Sequence, residues 1–153
     1  MTRPLIFRQA SHQDLGAIID LLQDDRLGGT REDNIRPLRS EYVEAFDAIL
    51  ADANQFQLVV EDEGSIVGTL QISILPGLSR LGMKRGQLEG VRIHSLRRGE
   101  GLGQKMIEWA TGFCRARGCA AIQLTTDKSR KDAHRFYERL GFVASHEGYK
   151  LTL

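Results

Sequence analysis

Apolar residues recur along this chain with two different periods, and the periods predict where helices and strands lie. Spacings of three and four residues are typical of one apolar helix face, whereas alternation is typical of a strand with one buried face. The first helical stretch follows Ser11 and Asp14, whose separation matches that of a capping box. The same spacing predicts three further helices: one over residues 40–53, a long one ending near 117, and one over 129–141.

Strand-like stretches alternate with these helices. They are predicted over residues 5–8, 57–61, 66–75, 87–94 and 120–125, with one or two last strands around Gly148 in the tail 142–153. Two loops, residues 24–37 and 76–86, separate them. This order predicts a mixed α/β fold around one sheet. Since the 153 residues contain no internal repeat or linker, we expect one domain, residues 1–153.

The overall composition excludes several classes of protein. The chain is 41% hydrophobic, with 21 basic and 20 acidic residues and a net charge of +1, so it lacks the basic excess of nucleic-acid-binding proteins. No apolar run approaches the roughly 20 residues of a membrane span, and the first residues do not resemble a signal peptide. We therefore expect a cytoplasmic protein without nucleic-acid or membrane partners.

The two cysteines, Cys114 and Cys119, do not suggest a metal site or a disulfide. No second Cys or His pair has the spacing of a zinc site, and a reducing compartment disfavours disulfides. We expect two small, semi-buried residues and no bound metal; a catalytic cysteine is the alternative.

A glycine-rich turn, residues 97–103, joins a predicted strand to the long helix. The first turn of a helix leaves N–H groups unpaired, and glycines let an anion approach them, so this turn is suited to binding phosphate. The position three after Gly101 is Gln104, which departs from the dinucleotide fingerprint, and the Gly-Lys-Ser/Thr of a P-loop is absent. By itself the turn is equally explained as a tight connection between strand and helix.

Two motifs in this order resemble the GNAT acetyltransferase family. The segment from Arg98 to Gly103 matches R/Q-x-x-G-x-G/A, the acyl-CoA pyrophosphate loop of that family, and the segment from Ala133 to Phe142 is similar to its A-x-x-F-Y-E-x-x-G-F signature. The resemblance extends from about residue 5 to the C-terminus. It implies a GNAT-like acyl-CoA transferase fold of the α/β (α+β) class. Such a fold has a central mixed, mostly antiparallel sheet of six to seven strands flanked by about four helices.

The resemblance also implies acetyl-CoA as the acyl donor. A bulge at Gly90 would open the strand, and the backbone of Val91, Arg92 and Ile93 would bond the pantetheine arm. The residues that match the pyrophosphate loop are Arg98, Gly99, Glu100, Gly101, Leu102, Gly103 and Gln104. Arg130 stands where many members have an Asn that bonds the pantetheine arm. It either turns toward the CoA phosphates or simply belongs to a solvated helix start.

The implied reaction is direct attack by an amine on the thioester. Tyr137 matches the tyrosine that protonates the leaving thiolate in the family, although its spacing also fits an apolar helix face. Glu89 is our candidate base for the amine; His94 and water are the alternatives. Alternation places Glu89 on the face of Val91 and Ile93, unless a bulge at Gly90 reverses it.

Three functions remain open at this stage. The first is an N-acetyltransferase for a primary amine of a small molecule, the second is one for a peptide or protein, and the third is a non-catalytic acyl-CoA-binding sensor. Loop residues 24–37 and 76–86 are expected to shape the acceptor site, since specificity commonly resides in loops. A homodimer is compatible with the family but is not indicated by any residue.

Overall fold

The computed structural model describes residues 3–153. By their contacts these residues form two compact units, one extending through Gln123 and the other starting at Leu124. Within the described range, no helix has the length and apolar character that crossing a membrane requires.

The first unit holds the sheet and most of the helices. Its strands are β1 (Ile6–Gln9), β2 (Gln55–Asp62), β3 (Ser65–Leu75), β4 (Arg85–Ile93) and β5 (Ala121–Leu124), whose last residue begins the second unit. Its helices are α1 (Leu15–Gln23), the short α2 (Gly28–Arg31), α3 (Ser40–Ala51), the four-residue α4 (Ser79–Gly82) and α5 (Leu102–Ala116). Most elements agree with the sequence prediction. The loops are shorter than predicted, because α2 occupies part of residues 24–37 and β4 begins at Arg85.

The predicted capping box is confirmed at the 3₁₀ turn His12–Asp14, which leads directly into α1. The Asp14 carboxylate accepts a hydrogen bond of 2.7 Å from the Ser11 N–H. Arg8 on β1 donates to both oxygens of the same carboxylate, which ties the start of the helix to the first strand.

The strands form one sheet in the order β1-β2-β3-β4-β5, and the first four are antiparallel to their neighbours. On one face, Phe56 of β2 packs against Trp109 and Phe113 of α5. On the other face, Val59 joins an apolar cluster contributed by α1 and α3. The sheet therefore has an α5 face and an opposite face, and the opposite face is apolar where α1 and α3 cover it.

The second unit contains α6 (Lys131–Arg139). The prediction of one or two strands in the tail was wrong: no strand follows α6 among the described residues, and the sheet has five strands rather than six to seven. Tyr149, Leu151 and Leu153 do alternate as in a strand, but all three are exposed. Alternation shows which face of a strand would be apolar, but it does not supply the neighbouring strand whose backbone must pair with it.

Candidate functional site

Strand β4 is bulged at Gly90, as the sequence predicted. Thr69 of β3 pairs with Arg92 and Gln71 pairs with Glu89, so the single residue between them on β3 lies opposite two residues of β4. Gly90 has a φ of +59°, a left-handed conformation that glycine adopts without the steric cost of a Cβ. A bulge leaves backbone groups outside the regular ladder, and such groups are able to bond a ligand.

The bulge also determines which way Glu89 faces. Ile93 pairs with Gly68, and its Cδ1 lies 3.2 Å from the position that a Cβ on Gly68 would take, next to Met106 of α5. Ile93 therefore points to the α5 face. Glu89 pairs with Gln71, which lies on the opposite face, and its side chain is exposed. Regular alternation would have placed Glu89 with Ile93, so the bulge reverses the expected relationship.

The side chain of Arg92 has a role that the sequence did not reveal. Its Nε lies 2.8 Å from the Asp25 carboxylate in the segment after α1, and both side chains are mostly buried. On the same segment, Asp24 accepts a 3.0 Å bond from the Ser95 N–H and a 2.7 Å bond from Arg98 through its carbonyl. The end of α1 is thus attached to both ends of the candidate acyl-CoA site. No local sequence signal connects residues as far apart in the chain as Asp24 and Ser95, which are separated by 71 positions.

His94, the alternative base, caps the short 3₁₀ turn that follows β4. Its Nδ1 accepts a 3.2 Å hydrogen bond from the Leu96 N–H. This lone pair is therefore engaged with the backbone, whereas the carboxylate of Glu89 is exposed on its strand.

The glycine-rich turn leads directly into α5, which begins at Leu102. Gly99 and Gly101 have φ values of +84° and +80°, and a Cβ added to either would project into open space. The first N–H groups of a helix have no acceptor within it, and the helix dipole makes this end partially positive. The residues present therefore fit the pyrophosphate of acetyl-CoA, with room for a ligand where side chains would otherwise stand.

The charged side chains around this turn are already partly engaged. Arg97 forms 2.7 Å ion pairs with Asp62 and with Glu100. Gln104 donates to Glu108 one turn further along α5. Because these side chains serve the fold, the backbone amides of the turn are the groups best placed to bind an anion.

In the second unit, Tyr137 lies on α6 and is half-buried. Its ring makes edge contacts with Phe136 at 5.0 Å and with Phe142 at 5.5 Å between centroids. Arg130 occupies the N-cap position of the same helix. The ring of Tyr137 thus packs against two aromatic neighbours without being fully buried, and the side chain carries a polar hydroxyl.

The cysteines are free and fit the structural role expected of them. Cys114 is buried on α5, and burial raises the pKa of its thiol to about 11. At neutral pH this thiol is protonated and weakly nucleophilic. Within residues 3–153, no group of three or more His, Cys, Asp or Glu side chains is arranged to hold a metal ion.

Comparisons with known proteins agree with this geometry. The sequence profile of the Acetyltransferase (GNAT) family matches residues 17–142. An aminoalkylphosphonate N-acetyltransferase of Salmonella typhimurium is 29% identical over 67% of this chain and 66% of its own. A glucosamine 6-phosphate N-acetyltransferase of Trypanosoma brucei brucei is 37% identical over 59% of each chain. The matches thus span less than two thirds of these curated relatives.

A solved structure is similar over almost the whole chain. It is that of a protein from Bacillus halodurans C-125 described as a transcriptional regulator. It is 45% identical and has a TM-score of 0.95, covering 98% of this chain and 100% of its own. The family profile, the bulged strand and the glycine turn all point the same way, and the profile covers well over half of the sequence. The chain belongs to the GNAT acetyltransferase family.

Proposed function

We propose that this protein is an acetyl-CoA-dependent N-acetyltransferase that acts on the primary amine of a small molecule, with residues 1–153 acting as one catalytic domain. The observation that carries the proposal is the continuity of β4 and α5: a bulged strand runs through a glycine turn into an open helix N-terminus. Along this path the chain offers backbone groups first to the extended pantetheine arm and then to the pyrophosphate.

In this proposal the backbone of Val91, Arg92 and Ile93 bonds the pantetheine arm, and the turn from Arg98 to Gln104 holds the pyrophosphate. The open space beside Gly99 and Gly101 supports this assignment. When bound, acetyl-CoA supplies an acetyl group whose bond to sulfur breaks as the acceptor nitrogen bonds to its carbonyl carbon. Arg130 is the further residue assigned to CoA, at its phosphates.

The acceptor nitrogen must lose two protons, one before and one after it attacks, and the departing sulfur must gain one. An alkylammonium, with a pKa near ~10.4, has to lose a proton before it attacks. The carboxylate of Glu89 accepts that proton, directly or through water, and its exposure leaves it accessible to an amine. The hydroxyl of Tyr137 gives a proton to the departing sulfur, which would otherwise leave as a thiolate, and the tyrosinate is restored by the second proton of the nitrogen as the amide forms.

The names of the curated relatives support a small acceptor. An aminoalkylphosphonate and glucosamine 6-phosphate are both small primary amines, and the proteins named for them align with this chain over 103 and 90 residues. We therefore favour a small-molecule amine over a peptide or protein.

A non-catalytic acyl-CoA-binding regulator is the second candidate. It is favoured by one observation: the solved structure that matches at 45% identity is described as a transcriptional regulator. The exposed Glu89 and the signature tyrosine Tyr137 instead favour turnover.

Two measurements on the purified protein separate these functions. A ligand at 100 times its Kd stabilises a protein by about 2.7 kcal/mol, so saturating acetyl-CoA should raise Tm by about 5 °C or more, whereas NAD and ATP should not. Release of the free CoA thiol when a panel of amines is added then shows that the protein is catalytic. Binding without release would support the regulator, and no acetyl-CoA shift would overturn both.

A further inference from the structure

One face of the sheet carries an unusual set of uncharged polar side chains. Phe56 of β2 faces α5, so its neighbours along the strand point the other way, and the paired residues of β3 and β4 share that opposite face. We call this set the amide floor; it consists of Gln55, Gln57, Gln71, Ser73, Gln87 and Gln123. All six residues belong to the first unit.

Strand register arranges the floor in rows. Ser73 is flanked by Gln55 on β2 and Gln87 on β4, and Gln71 is flanked by Gln57 and by Glu89. Adjacent strands lie about 4.8 Å apart, so a row of three side chains spans about 10 Å. The candidate base therefore stands at the end of a row of amides, within the reach of one small acceptor molecule.

Hydrogen bonds hold most of the floor in place. Gln55 accepts from Gln71 at 2.9 Å and from Ser73 at 2.8 Å, while Gln87 accepts from Gln123 at 2.7 Å. These bonds limit the rotamers of side chains that would otherwise be mobile. A preorganised polar surface of this kind loses little entropy when it binds a ligand.

The network leaves some of the amide groups unused. Among the described residues, the Nε2 groups of Gln55 and Gln87 donate no hydrogen bond, and the Oε1 atoms of Gln57 and Gln71 accept none. The two donors lie in the row of Ser73, and the two acceptors are neighbours in the row of Gln71. A hydroxyl group, which donates and accepts at once, complements such a surface.

We propose that the amide floor binds the body of the acceptor, and that the preferred acceptor is a polyhydroxylated primary amine of the amino-sugar type. This inference rests on the proposed function. An alkylamine would cover the floor and leave its amides unpaired, which is costly. On β4, Arg92 is paired with Asp25, whereas Arg85 donates to the neutral amide of Gln123 and its charge is not compensated among the described residues, so an amino sugar with or without a phosphate fits this surface.

The experiment measures kcat/KM for four amines by release of CoA thiol, at equal concentrations of unprotonated amine. The probes are D-glucosamine, glucosamine 6-phosphate, cyclohexylamine and triglycine. We expect both sugars to exceed cyclohexylamine and triglycine at least tenfold. Cyclohexylamine or triglycine reacting as well as the sugars would overturn the inference.

Substitutions connect the preference to the floor. Gln71→Leu and Gln87→Leu should each lower the ratio of glucosamine to cyclohexylamine kcat/KM at least tenfold, while the exposed control Gln13→Leu should leave it unchanged. Two floor variants are used so that one remains informative if the other does not fold. An unchanged ratio in a folded floor variant contradicts the proposal.

The outcomes also distinguish this inference from the proposed function. If amines are acetylated without a preference for hydroxyl groups, only the assignment of the floor fails. If acetyl-CoA binds but no amine releases CoA, the proposed enzymatic function is wrong, and the proposed acceptor class is wrong with it.

Discussion

The guanidinium of Arg92 and the carboxylate of Asp25 form an ion pair with an N–O distance of 2.8 Å, and each side chain is only 14% exposed. Arg92 stands two residues after the bulge at Gly90, and Asp25 lies just beyond α1. The pair therefore attaches the segment between α1 and α2 to the part of β4 that is proposed to bind acetyl-CoA.

Removing one partner of this pair should destabilise the fold. Asp25→Asn leaves the arginine without its counter-charge and should lower the free energy of unfolding by about 3 kcal/mol. Urea denaturation measures the change. The double variant Asp25→Asn with Arg92→Leu should recover most of the loss, because it leaves no buried charge and keeps the side-chain oxygen that accepts the Gly28 N–H. A double variant as unstable as Asp25→Asn would show that the pair is not the cause.

A methyl group at Gly101 should weaken acetyl-CoA binding. Gly101→Ala strains a residue with a φ of +80° by about 1–2 kcal/mol and places a Cβ in the proposed pyrophosphate site. Gly118 has the same φ of +80° but follows the other end of α5, so Gly118→Ala reproduces the strain alone. We expect calorimetry to show at least a tenfold weaker Kd for the Gly101 variant only. Equal Kd values in the two variants would exclude the turn as the binding site.

Loss of the Tyr137 hydroxyl should slow turnover without weakening acetyl-CoA binding. General acid catalysis typically contributes about 10²–10⁴-fold, so Tyr137→Phe should lower kcat by about 100-fold or more. The ring contacts with Phe136 and Phe142 remain, which keeps the helix packed. Tyr149→Phe, at an exposed position of the same unit, is the matched control. A Tyr137 variant with normal kcat would assign the tyrosine to packing.

Glu89→Gln should remove the proposed base while preserving the shape of the side chain. We expect kcat/KM to fall about 100-fold at neutral pH and to recover partly at high pH, where more of the amine is unprotonated. The pH profile of kcat/KM measures both effects. If the variant instead lowers the rate by the same factor at every pH, Glu89 acts by positioning the amine rather than by taking its proton.

Asp14 should make stability depend on acidic pH. Hydrogen bonds from Arg8 lower the pKa of this buried carboxyl below 3.8, with a further contribution from Ser11. A lowered folded-state pKa stabilises the protein above pH 3.8, and this stabilisation is lost as pH falls through the folded pKa. Asp14→Asn should therefore cost about 2 kcal/mol at pH 7, and its cost should shrink progressively as the pH falls below 3.8. The exposed Asp47→Asn, compared by urea denaturation, should cost less than about 1 kcal/mol throughout this range.

Much of the fold was predictable from local sequence. Helix spacing gave α3 and α5, the alternation around Gly64 gave the β2–β3 hairpin, and the separation of Ser11 and Asp14 gave the start of α1. Each of these depends on residues close together in the chain, whose preferences act before long-range packing. The glycine turn and the bulge at Gly90 belong to the same class, because glycine is the residue that tolerates their left-handed backbone.

Other features depended on the register between strands, which cannot be predicted from any single segment of the sequence. Register placed Glu89 on the face of Gln71 rather than of Ile93, aligned the amide floor, and brought Arg92 to Asp25. The tail shows the same limit, since Tyr149 and Leu151 have a strand pattern but no partner strand in the described chain. The sequence by itself determined the elements and the acyl-CoA motifs, because these follow from local backbone preferences. Only the tertiary structure decided which side chains share the sheet face of Glu89, because cross-strand neighbours are set by pairing between distant segments.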